Sequence, residues 1–225
     1  MASIAAHLQD TYRHRGMRRK MLDGLRQMGI ADERVLQAMD EVPRHYYLDA
    51  AFDKFAYENK PFQIGAGQTI SHPYTVARQS ELLQLPEGSK VLEIGTGSGF
   101  QCAVLCAMGY KVYSIERQKE LYDRAKPFLK QLGYRADIFY GDGYKGKPVF
   151  APFDGILVTC GAPSIPEALL GQLNIGGRII IPIDDASAGE GVQIMTEVRR
   201  VGEKKFTRQT HGHFAFVPML ASRVR

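Results

Sequence analysis

Cysteine is scarce in this 225-residue chain, with single residues at positions 102, 106 and 160. An odd number of scattered thiols is no disulfide framework, so the fold must stand on a packed core in a reducing compartment. Cys102 and Cys106 lie among Ala103, Val104, Leu105 and Ala107 and read as small core hydrophobes. Cys160 has no matched His and acid to make it a nucleophile. No metal site is expected. No apolar stretch reaches membrane-spanning length, and Met1-Ala-Ser-Ile-Ala-Ala-His7 is too short and too soon interrupted for a secretory signal. These absences predict a cytoplasmic protein with no membrane partner. Internal repeats and low-complexity linkers are also missing, which suits one domain over residues 1–225.

Neither sign of charge dominates: the net charge is +5. Much of that excess sits in Arg13, His14, Arg15, Arg18, Arg19 and Lys20, with Arg223 and Arg225 at the end. Such a run could meet RNA or an acidic partner, but it is read here as the wet face of a helix, with no nucleic-acid partner expected. Hydrophobic residues at 44% and charged residues at 24% are ordinary globular values.

The positive signal begins at Val91-Leu-Glu-Ile-Gly-Thr-Gly-Ser-Gly99. Apolar and β-branched positions run into a glycine turn that lets bare backbone N–H groups approach a ligand, the pattern of a strand entering a helix. Glu116, closing the next apolar run about 20 residues beyond the first glycine, is where a second strand's carboxylate can take two ribose hydroxyls. The spacing Gly95-x-Gly97-x-Gly99 departs from the dinucleotide pattern, and Glu93 just before it would repel a pyrophosphate. A cofactor with a cationic end fits better, and S-adenosylmethionine, with its amino group and sulfonium, is the expected one. Glu93, Gly95, Thr96, Gly97, Ser98, Gly99 and Glu116 are therefore assigned to it. Asp142, between two glycines, either makes a turn or accepts from an adenine amino group beside the Gly143 backbone.

Around this motif, strands Val91–Ile94, Val112–Ile115, Asp137–Phe139, Asp154–Thr159 and Arg178–Ile183 alternate with helices of about Gly99–Ala107, Gln118–Leu132 and Pro166–Leu173. Alternation of this kind predicts an α/β fold with a doubly wound, mostly parallel sheet and its ligand at the carboxyl ends of the strands. Val192–Val201 and Phe206–Met219 flank Gly202-Glu-Lys-Lys and predict a closing antiparallel C-terminal hairpin. Residues 3–29 predict a helix stopped by Gly29, and Asp32 should cap a second over Glu33–Glu41 before Pro43. Pro127 should kink or break its helix. The expected layout is a helical N-terminal extension (1–45), a substrate and active-site layer (46–85) and a cofactor-binding sheet (86–225). Within that layer, Ser71 ends the loop Pro61–Pro73 before a helix of about Tyr74–Leu83. It could cap that helix, or seat a carboxylate at the helix start. The Asp154 carboxylate reads as structural. The loop Thr159-Cys-Gly-Ala-Pro163 lacks the Asn/Asp-Pro-Pro-aromatic element used for methylation of planar amino groups.

The sequence resembles the protein-L-isoaspartate O-methyltransferase family through Ala56–Ala77 with its Gly-Gln-Thr-Ile-Ser core, Val91–Phe100, Gly141-Asp-Gly143, Ala151–Asp154, Gln172–Arg178 and Phe216–Met219. The resemblance implies a Rossmann-like methyltransferase fold and a repair enzyme. Such an enzyme methylates the free carboxylate of L-isoaspartyl, and less efficiently D-aspartyl, residues in damaged proteins and leaves S-adenosylhomocysteine. It implies that Ser71 is the active-site serine and that Thr69, Ile70, Ser71 and Val217 meet the substrate peptide. The methyl ester would then close to a succinimide whose hydrolysis returns some normal aspartate. A monomer is expected. His72, Phe100 and Leu220 stand where other members carry different residues, a Thr in some at the last of these.

Overall fold

The structure is a computed structural model that describes residues 8–224. Its central sheet is built from β3 (Lys90–Ile94), β4 (Lys111–Glu116), β5 (Ala136–Tyr140), β6 (Phe153–Val158), β7 (Leu173–Asp184), β8 (Gln193–Arg200) and β9 (Phe206–Phe214). The seven lie in the order β5-β4-β3-β6-β7-β8-β9. Pairing is parallel from β5 through to β7 and antiparallel for the last two strands. Successive residues of the central strands enter opposite layers. Val91, Leu157 and Ile180 join the core on one side, whereas Leu92, Ile94, Ile156, Val158, Ile179 and Ile181 join the other. A parallel strand covered on both faces needs apolar residues at consecutive positions, which is why these runs do not alternate with polar ones. Each fully buried Leu or Ile contributes about 1.5–3 kcal/mol.

The chain leaves β3 toward β4 and β5 on one side and returns to β6 on the other. This reversal opens a crevice beyond the carboxyl ends of β3 and β6. The N-terminal layer comprises α1 (Tyr12–Gln27), α2 (Glu33–Glu41), the hairpin of β1 (Phe62–Gly65) and β2 (Gln68–Ile70), and α3 (Pro73–Leu83). Helices α4 (Phe100–Ala107), α5 (Lys119–Gln131) and the short α6 (Glu167–Leu170) connect the parallel strands. No described helix is long and apolar enough to cross a membrane.

Several expectations hold to the residue. Asp32 caps α2 by accepting the Arg34 N–H at 2.9 Å, and Asp154 is structural, accepting from Lys90 N at 2.8 Å and Asn174 Nδ2 at 2.6 Å. Others are corrected. The first helix starts at Tyr12, with Thr11 and His14 forming its capping box, and the expected turn around Ile4 lies outside the described residues. Helix α6 is confined between Pro166 and Gly171, because Leu173 is already paired to Phe153 in the sheet. The last strand stops at Phe214, since residues 217–219 turn away to bond Gly161. Helix α5 runs unbroken through Pro127. The basic run is not one wet face: His14 and Arg18 are buried. Arg18 bonds Asp10 and Asp40 at 2.9 Å, and His14 Nε2 lies 2.8 Å from Asp53.

Glu93 is also corrected. It sits in the middle of the sheet opposite Ser114 and is fully buried, with Ser114 Oγ donating to Oε2 at 2.5 Å and Oε1 without a partner. Burial pushes its carboxyl from the ordinary 4.5 up to about 8. A protonated acid neither repels a pyrophosphate nor attracts a sulfonium, so the charge argument made from sequence does not apply to this residue. The linkage has a definite sign. Between pH 4.5 and about 8 the folded chain holds a proton that the unfolded chain releases, so stability falls as pH rises through that window. Glu93→Gln, a neutral near-isostere, should flatten that fall in thermal unfolding of the ligand-free protein. A slope equal to wild type would show that Glu93 is not the group responsible.

Candidate active site

The glycine turn is held by contacts that only glycine permits. Gly95 and Gly97 lie at φ +101° and +54°. A Cβ on Gly95 would come 2.4 Å from Thr159 Oγ1. That hydroxyl reaches the carbonyls of Ile94 and Gly95 at 2.9 and 2.8 Å, tying the turn after β3 to the end of β6. At Gly99, the cap of α4, a Cβ would meet Leu129 Cδ1 of α5 at 2.9 Å. Gly99 therefore serves packing and does not reach the cleft wall.

Glu116 closes the turn from the neighbouring strand. Its Oε2 accepts the Gly97 N–H and its Oε1 the Gln118 N–H, each at 2.8 Å. Burial raises this carboxyl while the backbone N–H groups oppose the shift. Each oxygen has a second lone pair, so the group can still accept two hydroxyl donors.

A cleft of about 590 Å³ opens here, walled by Gly95, Gly97, Glu116, Gly143, Thr159 and Val217–Leu220 and floored by Ile94 and Ile115. Gly143 admits no side chain, since a Cβ would sit 2.4 Å from Ile94 Cγ2. Asp142 does not line the cleft. Its oxygens accept from Tyr144 N and Ser222 N, both at 3.0 Å, so its visible work is turn formation.

A second, smaller chamber adjoins the first and shares Thr69, Gly95, Gly97 and Thr159 with it. Its remaining wall includes Ile70, Ser71, Thr96, Ser98, Phe100 and Gln101. The cap of α3 is His72, which makes no side-chain capping bond, with Pro73 at the first helical position. The capping reading of Ser71 therefore falls away. Among the described residues its hydroxyl has no hydrogen-bond partner, and Ser71 lines this chamber together with Gly95 and Gly97 of the glycine turn. Burial, followed by the charge of Arg44, lowers the His72 imidazole below its ordinary value. Val217 stands in the cleft wall, with its carbonyl already accepting from Gly161 N at 2.9 Å.

The fold thus gathers Thr69, Ile70, Ser71, Gly95, Thr96, Gly97, Ser98, Glu116, Gly143 and Val217 around two joined chambers, leaving Glu93, Gly99 and Asp142 behind the walls. Sequence reasoning missed Arg117, Thr159 and Gln101 as wall residues. Thr159 could have been found, because it follows a parallel strand just as Gly95 does.

The family model for protein-L-isoaspartate(D-aspartate) O-methyltransferase matches residues 16–224. The protein-L-isoaspartate O-methyltransferase of Christiangramia forsetii is 53% identical over 214 residues, covering 95% of this chain and 98% of that protein. That of Cytophaga hutchinsonii is 51% identical over 213 residues, covering 95% of each. Among solved structures, a protein-L-isoaspartate O-methyltransferase superposes with a TM-score of 0.80 at 29% identity, over 89% of this chain and 65% of that one. A Plasmodium falciparum β-aspartate methyltransferase in complex with S-adenosyl-L-homocysteine gives 0.76 at 25% identity, over 89% and 97%. With a glycine turn, a buried carboxylate and Ser71 lining adjoining chambers, and with matches spanning nearly the whole of this sequence, the chain belongs to the protein-L-isoaspartate (D-aspartate) O-methyltransferase family.

Proposed function

We propose that the larger cleft holds S-adenosylmethionine and the smaller chamber seats the free carboxylate of an isoaspartyl residue, with Ser71 as the catalytic side chain. The carrying observation is the Ser71 hydroxyl, without a hydrogen-bond partner among the described residues, in a chamber lined by the same glycine turn that Glu116 holds. The residues present fit this cofactor. Glu116 has lone pairs for two ribose hydroxyls, the turn at Gly95 and Gly97 admits close approach, and Gly143 leaves its backbone bare at the far wall. When bound, the cofactor supplies an electrophilic methyl group on a sulfonium.

A carboxylate with an ordinary pKa of about 4 is already ionised at pH 7 and needs no general base. The residues of this chain therefore have mainly to align it. The Ser71 hydroxyl donates to one carboxylate oxygen and aims the other at the shared opening. Burial and Arg44 both disfavour a competing positive charge on His72. Strand β2 pairs with β1 along one edge only, so Thr69 offers its other edge to an extended peptide, with Val217 facing it across the cleft. Recognition through backbone favours tolerance of flanking sequence, as suits a repair enzyme. Both chambers are completed within one chain, which supports action as a monomer. The free cysteines support work in the reducing cytoplasm.

Ser71→Ala should lower turnover on isoaspartyl peptide by about tenfold or more, a loss of about 1.4 kcal/mol of transition-state stabilisation per tenfold. Because Ser71 caps nothing, the unfolding temperature and the affinity for S-adenosylhomocysteine should hold. Full activity in this variant would remove Ser71 from the chemistry. In calorimetric titration, Glu116→Ala should weaken S-adenosylmethionine binding by about 1.5–3 kcal/mol, the worth of hydrogen bonds to a charged acceptor. Undiminished affinity would place the ribose elsewhere.

A further inference from the structure

Three arginines are buried among the described residues: Arg18, Arg44 and Arg178. Two have carboxylate partners. Arg18 pairs with Asp10 and Asp40 at 2.9 Å, and Arg178 with Glu197 at 3.2 Å. Arg44 has none within ion-pairing distance among the described residues, although its exposure is 0%. It lies at the start of the 3₁₀ turn Arg44–Tyr47. Its Nε donates to the Ala56 carbonyl at 3.0 Å and its Nη2 to that of Lys60 at 3.2 Å, while Nη1 has no partner. The guanidinium carbon stands 5.0 Å from the centroid of Phe100, within range of cation–π attraction.

Bracing residues 56–60 does not require a charge. Two neutral N–H donors could hold the same carbonyls without desolvating a cation, and an uncompensated buried charge is strongly unfavourable. The location gives the charge a use. Phe100 is part of the wall of the Ser71 chamber, and the field of Arg44 reaches His72, the neighbour of Ser71, where it adds to burial in lowering the imidazole. The guanidinium itself stays protonated at neutral pH, since burial lowers it only to about 9.

We propose that Arg44 is a positioning residue whose buried charge, standing behind Phe100, draws the substrate carboxylate into the Ser71 chamber. This rests on the reading of that chamber as the carboxylate seat. Arg44 touches neither the reacting atoms nor the substrate; it acts through the low-dielectric layer between, where Coulomb attraction is weakly screened. A neutral side chain entering the same chamber gains nothing from it, so the effect is selective for anions.

The test compares an isoaspartyl peptide with the same peptide carrying a carboxamide in place of the free carboxylate, titrated calorimetrically against the protein saturated with S-adenosylhomocysteine. Arg44→Gln keeps N–H donors for the backbone carbonyls but removes the charge, and Arg44→Met is the second neutral variant should Gln not fold. Either should lose about tenfold in affinity for the carboxylate peptide, as expected for a unit charge acting over about 12 Å at an effective dielectric near 20, and nothing for the carboxamide. Arg44→Lys should retain most of the carboxylate preference. An equal loss for both peptides would reduce Arg44 to a brace and overturn the proposal, as would an unchanged preference in the neutral variants. A wild-type protein without any preference for the carboxylate would instead remove the seat itself, and this proposal with it.

Discussion

The site depends on one buried carboxylate held between two backbone amides. Glu116 takes the Gly97 N–H from the turn after β3 and the Gln118 N–H from its own strand end. It thereby fixes the two strand termini relative to each other. Without that clamp the glycines that make the turn close enough for a ligand would also leave it the freest stretch of the site, since glycine loses more conformational entropy on ordering than other residues. The Thr159 hydroxyl repeats the device on the opposite side, bonding two carbonyls where Glu116 bonds two amides. Donors are held from one flank and acceptors from the other.

The sheet and the glycine motif were legible in the sequence because both follow from local chemistry. Apolar β-branched runs, glycines that must adopt positive φ, and a capping Asp32 followed by Pro43 need nothing distant to be read correctly. What stayed hidden depends on partners far along the chain. Arg18 looks like a solvated charge until Asp10, Asp40 and Tyr57 surround it, and the third of these lies 39 residues away. Glu93 looks anionic until its strand is placed in the middle of the sheet. Ser71 has two local readings, and the position of His72 at the helix start removes the capping one.

The N-terminal layer shows how charge supports a site it does not enter. Helix α1 is tied to the segment over the cleft by Arg13 and His14 on Asp53 and by Arg18 on Tyr57. The His14 and His45 rings stack at 3.7 Å within this network. Burial, then the nearby His14, holds the His45 imidazole down at about 4, so the stack carries no mutual repulsion from a charged His45 at neutral pH. Arg44 lies in the same N-terminal layer and is the one buried arginine among the described residues without an acidic partner.

Residues 217–220 complete the larger cleft after the chain has left the sheet, fastened by paired backbone bonds between Gly161 and the residues Val217 and Met219. In order of synthesis this wall comes after every strand of the sheet. A nascent chain released as far as Phe214 already holds every strand of the sheet, yet one side of its cleft is open to water. Ligand binding here therefore requires the chain as far as Leu220, and not the sheet alone.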